Sequence, residues 1–143
     1  MSDFRRLNDN IYVSQQLDLA DIEAARALGV GLIVNNRPDG EEPSAPQGDA
    51  IEAASAAAGI NYLAIPVGHS GFSEPQVDAM IAAMEQAEGP ILAYCRSGTR
   101  STLLWALASA KQGESPDTIA RSAAQAGYDI SPVRAMVDML SQR

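Results

Sequence analysis

The residues with the clearest chemical potential lie in Ile91-Leu-Ala-Tyr-Cys-Arg-Ser-Gly-Thr-Arg-Ser101. This segment reads as a short buried strand, six loop residues (Cys95 to Arg100) and the start of a helix. A loop folded around a helix N-terminus gathers backbone N–H groups that aim at one point, and the helix dipole adds positive potential there. Gly98 supplies the positive φ that such a loop needs. Arg96 and Arg100 bring guanidinium charge. Each of these favours thiolate over thiol at Cys95. A thiolate in an anion cradle is a nucleophile suited to an anionic or sulfur-rich substrate. Cys95 is the single cysteine of the chain, so it forms no intrachain disulfide and no cysteine-based zinc site. A cysteine that only fills a core has no need of Arg, Ser, Gly, Thr and Arg directly after it.

Such a junction works when it is held at the carboxyl edge of a parallel sheet, where helix N-termini point. The rest of the chain supplies that frame. Ile11-Tyr-Val13, Leu32-Ile-Val-Asn35, Tyr62-Leu-Ala-Ile-Pro-Val67 and Ile91-Leu-Ala-Tyr94 read as four strands. Helical patterns separate them: Leu19 to Leu28 after the cap Asp18, an Ala-rich run from Asp49 to Ala58, and a helix to about Ala87 opened by the capping box Ser73-Glu-Pro-Gln76. A helix over about Ser101 to Gln112 follows the active segment, and Ser115-Pro116 and Ser131-Pro132 start two closing helices. Strands alternating with helices predict an α/β domain over 1–143, with a central, mostly parallel sheet of about four strands flanked by helices. The Pro-rich stretch 38–46 reads as a long loop at the sheet's edge. Trp105 and Met80, Met84, Met136 and Met139 fall at helical spacings and read as packing residues.

The composition narrows the partners. The chain has 143 residues, 10 basic and 18 acidic, for a net charge of −8. An acidic chain without a basic stretch is a poor match for nucleic acid or an anionic lipid surface. No apolar run approaches the length of a membrane span. The opening Met1-Ser-Asp-Phe-Arg-Arg lacks the apolar core of a signal peptide, so the cytoplasm is the expected compartment. One His and one Cys leave no convincing metal-ligand set.

Cys95-Arg-Ser-Gly-Thr-Arg-Ser101 is similar to the active-site loop of single-domain rhodaneses, sulfurtransferases acting on thiosulfate or persulfides. The strand order and Ile11-Tyr-Val-Ser14 resemble cysteine-dependent dual-specificity phosphatases. One bacterial family combines both features: the phosphatase-like domain found alone or fused to beta-lactamase-like hydrolases of the persulfide dioxygenase type. The resemblance runs through Ile11–Ser14, Asn35–Pro43, Ile65–Val67 and Tyr94–Ser101. It implies a protein-tyrosine/dual-specificity-phosphatase-like fold, a reaction at Cys95 labelled either phosphatase or sulfurtransferase, and no cofactor. It also implies a separate beta-lactamase-like, persulfide-oxidising hydrolase as partner.

Loop length and the general acid bear on the reaction. Phosphatases of this class resemble one another in a Cys-x5-Arg loop, whereas four residues separate Cys95 from Arg100 here. The shorter ring suits the outer sulfur of a persulfide better than a phosphoryl group. With a one-residue gap, Cys95, Gly98, Arg100 and Ser101 still align with the phosphatase pattern. Expelling an alkoxide from a phosphomonoester needs a proton donor, and expelling sulfite from thiosulfate does not. In typical relatives the donor is an Asp after the third strand, but Gly68-His-Ser-Gly-Phe-Ser73 holds no carboxylate. Asp39, with Glu41 and Glu42 nearby and Arg37 and Pro38 to order it, and His69 are the candidate acids. The blander readings are a plain Asp39-Gly40 turn and a surface histidine. Arg100 and Arg96 would hold substrate oxygens, with Arg37 adding charge or pairing with a loop carboxylate. The amides of Ser97, Gly98 and Thr99 would form the cradle, and Ser101 would hydrogen-bond the sulfur. The expectation drawn is a sulfurtransferase that carries a Cys95 persulfide and passes its sulfur to a thiol or cyanide. The alternative is a phosphatase acting through phospho-Cys95. A further alternative is a non-catalytic anion-binding or redox-sensing module, against which the lack of a second, resolving cysteine counts.

Overall fold

The computed structural model describes residues 2–142. Its strands are β1 (Arg5–Asn8), β2 (Ile11–Ser14), β3 (Leu32–Asn35), β4 (Asn61–Ala64) and β5 (Ile91–Tyr94). They form one five-stranded sheet in the order β1-β2-β5-β3-β4. β5 runs parallel to β2 and β3, β4 runs parallel to β3, and β1 alone is antiparallel, paired to β2. Every residue of β5 is buried, as a central strand covered on both faces should be. Its side chains alternate between two cores. Ile91 and Ala93 join Ile11, Val13, Leu32 and Val34 on one face, and Leu92 and Tyr94 join Ile33 on the other.

Helices α1 (Leu19–Ala27) and α2 (Gly48–Ala57) pack together, while α3 (Glu74–Gln86), α4 (Thr99–Lys111), α5 (Pro116–Gln125) and α6 (Arg134–Ser141) pack as a second group around α4. Ser101 to Ala110 of α4 are all buried. The helix that opens on Cys95 is therefore the centre of its layer, and Trp105 on it is fully buried. Among the described residues no helix is long and apolar enough to cross a membrane.

The register explains where a site can form. Ser14 and Asn35 both lie opposite Tyr94, one on each side. The chain leaving β2, β3 and β5 therefore emerges side by side at one edge, with Cys95 in the middle. The connection from β2 through α1 to β3 steps over the place that β5 later fills. This is the switch point at which open α/β sheets bind ligands.

The sheet has one strand more than the sequence predicts. In β1 only Leu7 is buried, so there is little apolar pattern to read. The strand exists because a turn at Asp9-Asn10, in which Asn8 Oδ1 accepts the Asn10 N–H (2.7 Å), folds it back on β2. β4 ends at Ala64, short of the expected Val67, because Pro66 has no N–H for a ladder. The N–H groups of Ile65 and Val67 still bond the Asn35 and Asn36 carbonyls (both 2.9 Å). α4 starts at Thr99, two residues early. Ser131–Val133 forms a 3-10 turn before α6 rather than that helix's first turn. Met80 is buried, but Met136 and Met139 are 40% and 56% exposed.

Candidate active site

Cys95 follows β5 directly and is fully buried. Its N–H reaches the Ser14 carbonyl (3.4 Å), and the Arg96 carbonyl accepts the Gln16 N–H (3.2 Å). The β2 exit thus pins the start of the loop. The Gly98 N–H donates to Cys95 Sγ at 3.1 Å. Gly98 caps α4 in the left-handed region, with φ +91°. Its carbonyl takes the Thr102 N–H (3.0 Å) and the Thr102 hydroxyl (2.8 Å). The amides of Arg100 and Ser101 lie in the first turn of α4, where no intrahelical acceptor exists and donors face outward. The Thr99 N–H meets Ser97 Oγ (3.4 Å), and Ser97 Oγ donates to Thr99 Oγ1 (3.0 Å). Of the cradle amides expected from sequence, Gly98's therefore goes to the sulfur and Thr99's to a neighbouring hydroxyl.

Arg100 is fixed on two sides. Its Nη1 donates to Glu41 Oε2 and to the Val67 carbonyl (both 2.7 Å), and its Nη2 donates to Glu41 Oε1 (2.9 Å). Guanidinium has five N–H donors in a rigid plane. Both Nη1 hydrogens and one on Nη2 are committed, which leaves Nε–H and the second Nη2–H along a single edge. That edge is a side-on bidentate fork for an anion. Glu41 also accepts from Arg37 Nε (2.9 Å), while Arg37 Nη1 donates to Gln16 Oε1 (2.9 Å). The Arg100 hydrogen bonds lead in holding the Glu41 carboxyl down to about 2. In return Arg100 is raised above its ordinary value, first by the Glu41 hydrogen bond and then by the nearby Cys95 charge.

The remaining candidates distribute unevenly. Arg96 and His69 are exposed, His69 in the loop between β4 and α3. Arg37 pairs with Glu41, as the loop-carboxylate reading anticipates. Ser101 Oγ donates to Asn36 Oδ1 (2.7 Å), so its proton is directed there and not to the sulfur. Asn36 in turn donates to the Ile65 carbonyl (2.9 Å), tying α4 to the exits of β3 and β4. Asp39 is drawn away from the arginines: its Oδ1 accepts the Gly48 N–H (2.8 Å) at the start of α2. Asp39→Ala is expected to cost about 1 kcal/mol, the worth of a helix cap, read as a lowered denaturation midpoint. Glu41 is the acidic-loop residue that the fold brings to Arg100. Asn36 had one readable sequence signal, a polar pair directly after a strand. Tyr128, whose hydroxyl donates to the Ser97 carbonyl (3.1 Å), had none.

Residues 3–112 match the family described as beta-lactamase hydrolase-like protein, phosphatase-like domain. A beta-lactamase hydrolase-like protein of Agrobacterium fabrum is 38% identical over 108 residues, covering 76% of this chain and 25% of that protein. One of Xylella fastidiosa is 36% identical over 107 residues, covering 75% and 25%. The matched part of the chain thus spans a quarter of these curated relatives. Among solved structures, a candidate phosphatase (nma1982) from Neisseria meningitidis shares 36% identity with a TM-score of 0.84, over 95% of this chain and 96% of the other. Tk-PTP in its active form, at 16% identity and a TM-score of 0.76 over 98% and 97%, shares the fold. The fold is therefore that of protein-tyrosine and dual-specificity phosphatases, and the chain belongs to the phosphatase-like domain family of beta-lactamase hydrolase-like proteins.

Proposed function

We propose that this chain is a cysteine-dependent phosphatase acting on phosphomonoesters, with aryl esters preferred over alkyl esters. The observation that carries the reading is the open Nε/Nη2 edge of Arg100, held in place by Glu41 at the helix N-terminus beside the Cys95 sulfur. Cys95 Sγ attacks phosphorus, the S–P bond forms, and the ester P–O bond breaks with its electron pair leaving on oxygen. Arg100 and the first-turn amides of α4 hold the non-bridging oxygens. Water then displaces the thiolate and releases phosphate. Membership of a phosphatase-like family supports this reading over the sulfurtransferase expected from loop length. The aryl preference follows from the carboxylates. Glu41 is ionised between two arginines and Asp39 is engaged at α2, so neither offers a proton to a strongly basic alkoxide. A phenolate departs with less help.

One observation favours sulfur transfer as a second reading: the four-residue spacing between Cys95 and Arg100, with no carboxylate in the loop after β4. There the Cys95 sulfur would bond the outer sulfur of thiosulfate while sulfite leaves with the S–S electron pair. Cyanide or a thiol would then take that sulfur and restore the thiolate. The relatives' names make a beta-lactamase-like hydrolase the natural partner class for either reading. The test is a paired incubation with an aryl phosphate, and with thiosulfate plus cyanide, each quenched for intact-mass analysis. Phosphate release with one phosphoryl group added at Cys95 is the expected result. Thiocyanate formation with one added sulfur atom and no phosphate release would establish sulfur transfer instead.

A further inference from the structure

Tyr128 follows α5, where Gly127 takes φ +92° and the Tyr128 N–H closes on the Ala123 carbonyl (2.9 Å). The turn throws the half-buried Tyr128 ring back over the active-site loop. Arg5 of β1 holds the ring from its other side, with the guanidinium carbon 5.6 Å from the ring centroid and Nη1 donating to the Ala126 carbonyl (3.1 Å). The hydroxyl donates to the Ser97 carbonyl at 3.1 Å. Burial raises this phenol above its ordinary value, so it is protonated and able to donate.

Ser97 C=O and Gly98 N–H belong to one peptide unit. The unit is planar and trans, so the two groups point in opposite directions. One end meets Tyr128, and the other meets Cys95 Sγ at 3.1 Å. Position 98 has no room for a side chain, because a Cβ there would lie 2.2 Å from the Tyr128 hydroxyl oxygen. Glycine at 98 therefore serves both the left-handed backbone and the approach of the phenol.

We propose that Tyr128 is a positioning residue: by holding the Ser97 carbonyl it fixes and polarises the peptide whose Gly98 N–H stabilises the Cys95 thiolate. The proposal rests on Cys95 being the reacting group, as in the function proposed above, but not on phosphate being the substrate. An anchored peptide cannot rotate its N–H away from the sulfur, and a hydrogen bond to the carbonyl strengthens the donor at the other end.

The test is Tyr128→Phe, which keeps the ring and removes the hydroxyl. The readout is the rate of Cys95 alkylation by iodoacetamide at pH 6 and pH 9 in the otherwise intact chain, with thermal unfolding to confirm the fold. The ratio of the pH 6 rate to the pH 9 rate is expected to fall, by up to about tenfold, the size of one lost neutral hydrogen bond. A packing role would change both rates alike and leave the ratio where it was. Arg5→Gln, which loosens the ring without touching the hydroxyl, should lower the ratio by less, and it carries the test if Tyr128→Phe does not fold. An unchanged ratio in a folded variant overturns the proposal, whether or not turnover falls. Alkylation needs no substrate, so a wild-type chain that releases no phosphate would sink the phosphatase reading and still leave this comparison decisive.

Discussion

Cys95→Ser is expected to lower turnover of an aryl phosphate by at least about a thousandfold, as removal of a catalytic nucleophile does, while changing stability by about 1 kcal/mol or less. The two halves of this expectation have separate causes. The folded state loses little because a serine Oγ can still accept the Gly98 N–H that now reaches Sγ at 3.1 Å. The loop is held by the Cys95 N–H on Ser14, the Gln16–Arg96 contact and the start of α4, none of which depends on sulfur. The reaction loses much because a hydroxyl is not ionised near neutral pH, and activating it needs a base. The carboxylate that the fold brings to Arg100 is a poor one: Glu41 has its carboxyl held down to about 2 and its oxygens engaged by Arg100 and Arg37. Steady-state assays with matched circular dichroism check both halves. Residual activity above about one hundredth of wild type would place the nucleophile elsewhere.

The contrast between Cys95 and Tyr128 shows how far a sequence alone could reach. The strand–Cys–Gly–helix segment is local. Its apolar run, its glycine and its helix start lie within eleven consecutive residues (91 to 101), so element type and order could be read directly, while the amides expected as the cradle, those of Gly98 and Thr99, turn instead to the sulfur and to Ser97 Oγ. The parallel sheet followed from the same alternation. Contacts that depend on register could not be read. Asp39 and Glu41 are two residues apart in one acidic loop, and only the packing of that loop against α2 decides that Asp39 meets Gly48 while Glu41 meets Arg100. Ser101 was readable as a residue near the sulfur, but its partner Asn36 lies just past the end of β3, 65 positions away. β1 and Tyr128 were missed together for one reason. β1 buries only Leu7 and so lacks a strand's apolar period, yet its Arg5 is what lies over the Tyr128 ring. An edge strand and a distant phenol define each other through the fold, and neither carries a local signal.

Glu41→Gln is expected to destabilise the chain by about 2–3 kcal/mol at neutral pH and to lower kcat/KM by roughly tenfold. The stability effect follows from charge. Glu41 is the shared counter-ion of two guanidinium groups whose side chains are 10% and 18% exposed. Its carboxyl sits at about 2 in the fold, against an ordinary 4.5, chiefly through the Arg100 hydrogen bonds and next, against burial, through Arg37. A carboxyl whose folded value is depressed stabilises the fold above its unfolded value, and that contribution is lost as pH falls through the folded value. The gap between wild type and Glu41→Gln should therefore be full above about pH 4.5 and close progressively toward pH 2. A glutamine can accept one Arg100 hydrogen bond but carries no charge, and its amide nitrogen faces a guanidinium as donor to donor. The kinetic effect follows from aim. Arg100 offers one open edge because Glu41 and the Val67 carbonyl occupy the others. Released from Glu41, the guanidinium samples orientations in which that edge no longer faces the substrate above Cys95, and misorientation of a charged clamp is paid in rate. Urea denaturation at several pH values, paired with steady-state kinetics, measures both effects. A stability gap that persists unchanged at pH 2 would show that the stabilisation does not come from the Glu41 charge, and a variant that turns over faster than wild type would show that Glu41 obstructs Arg100 rather than aiming it.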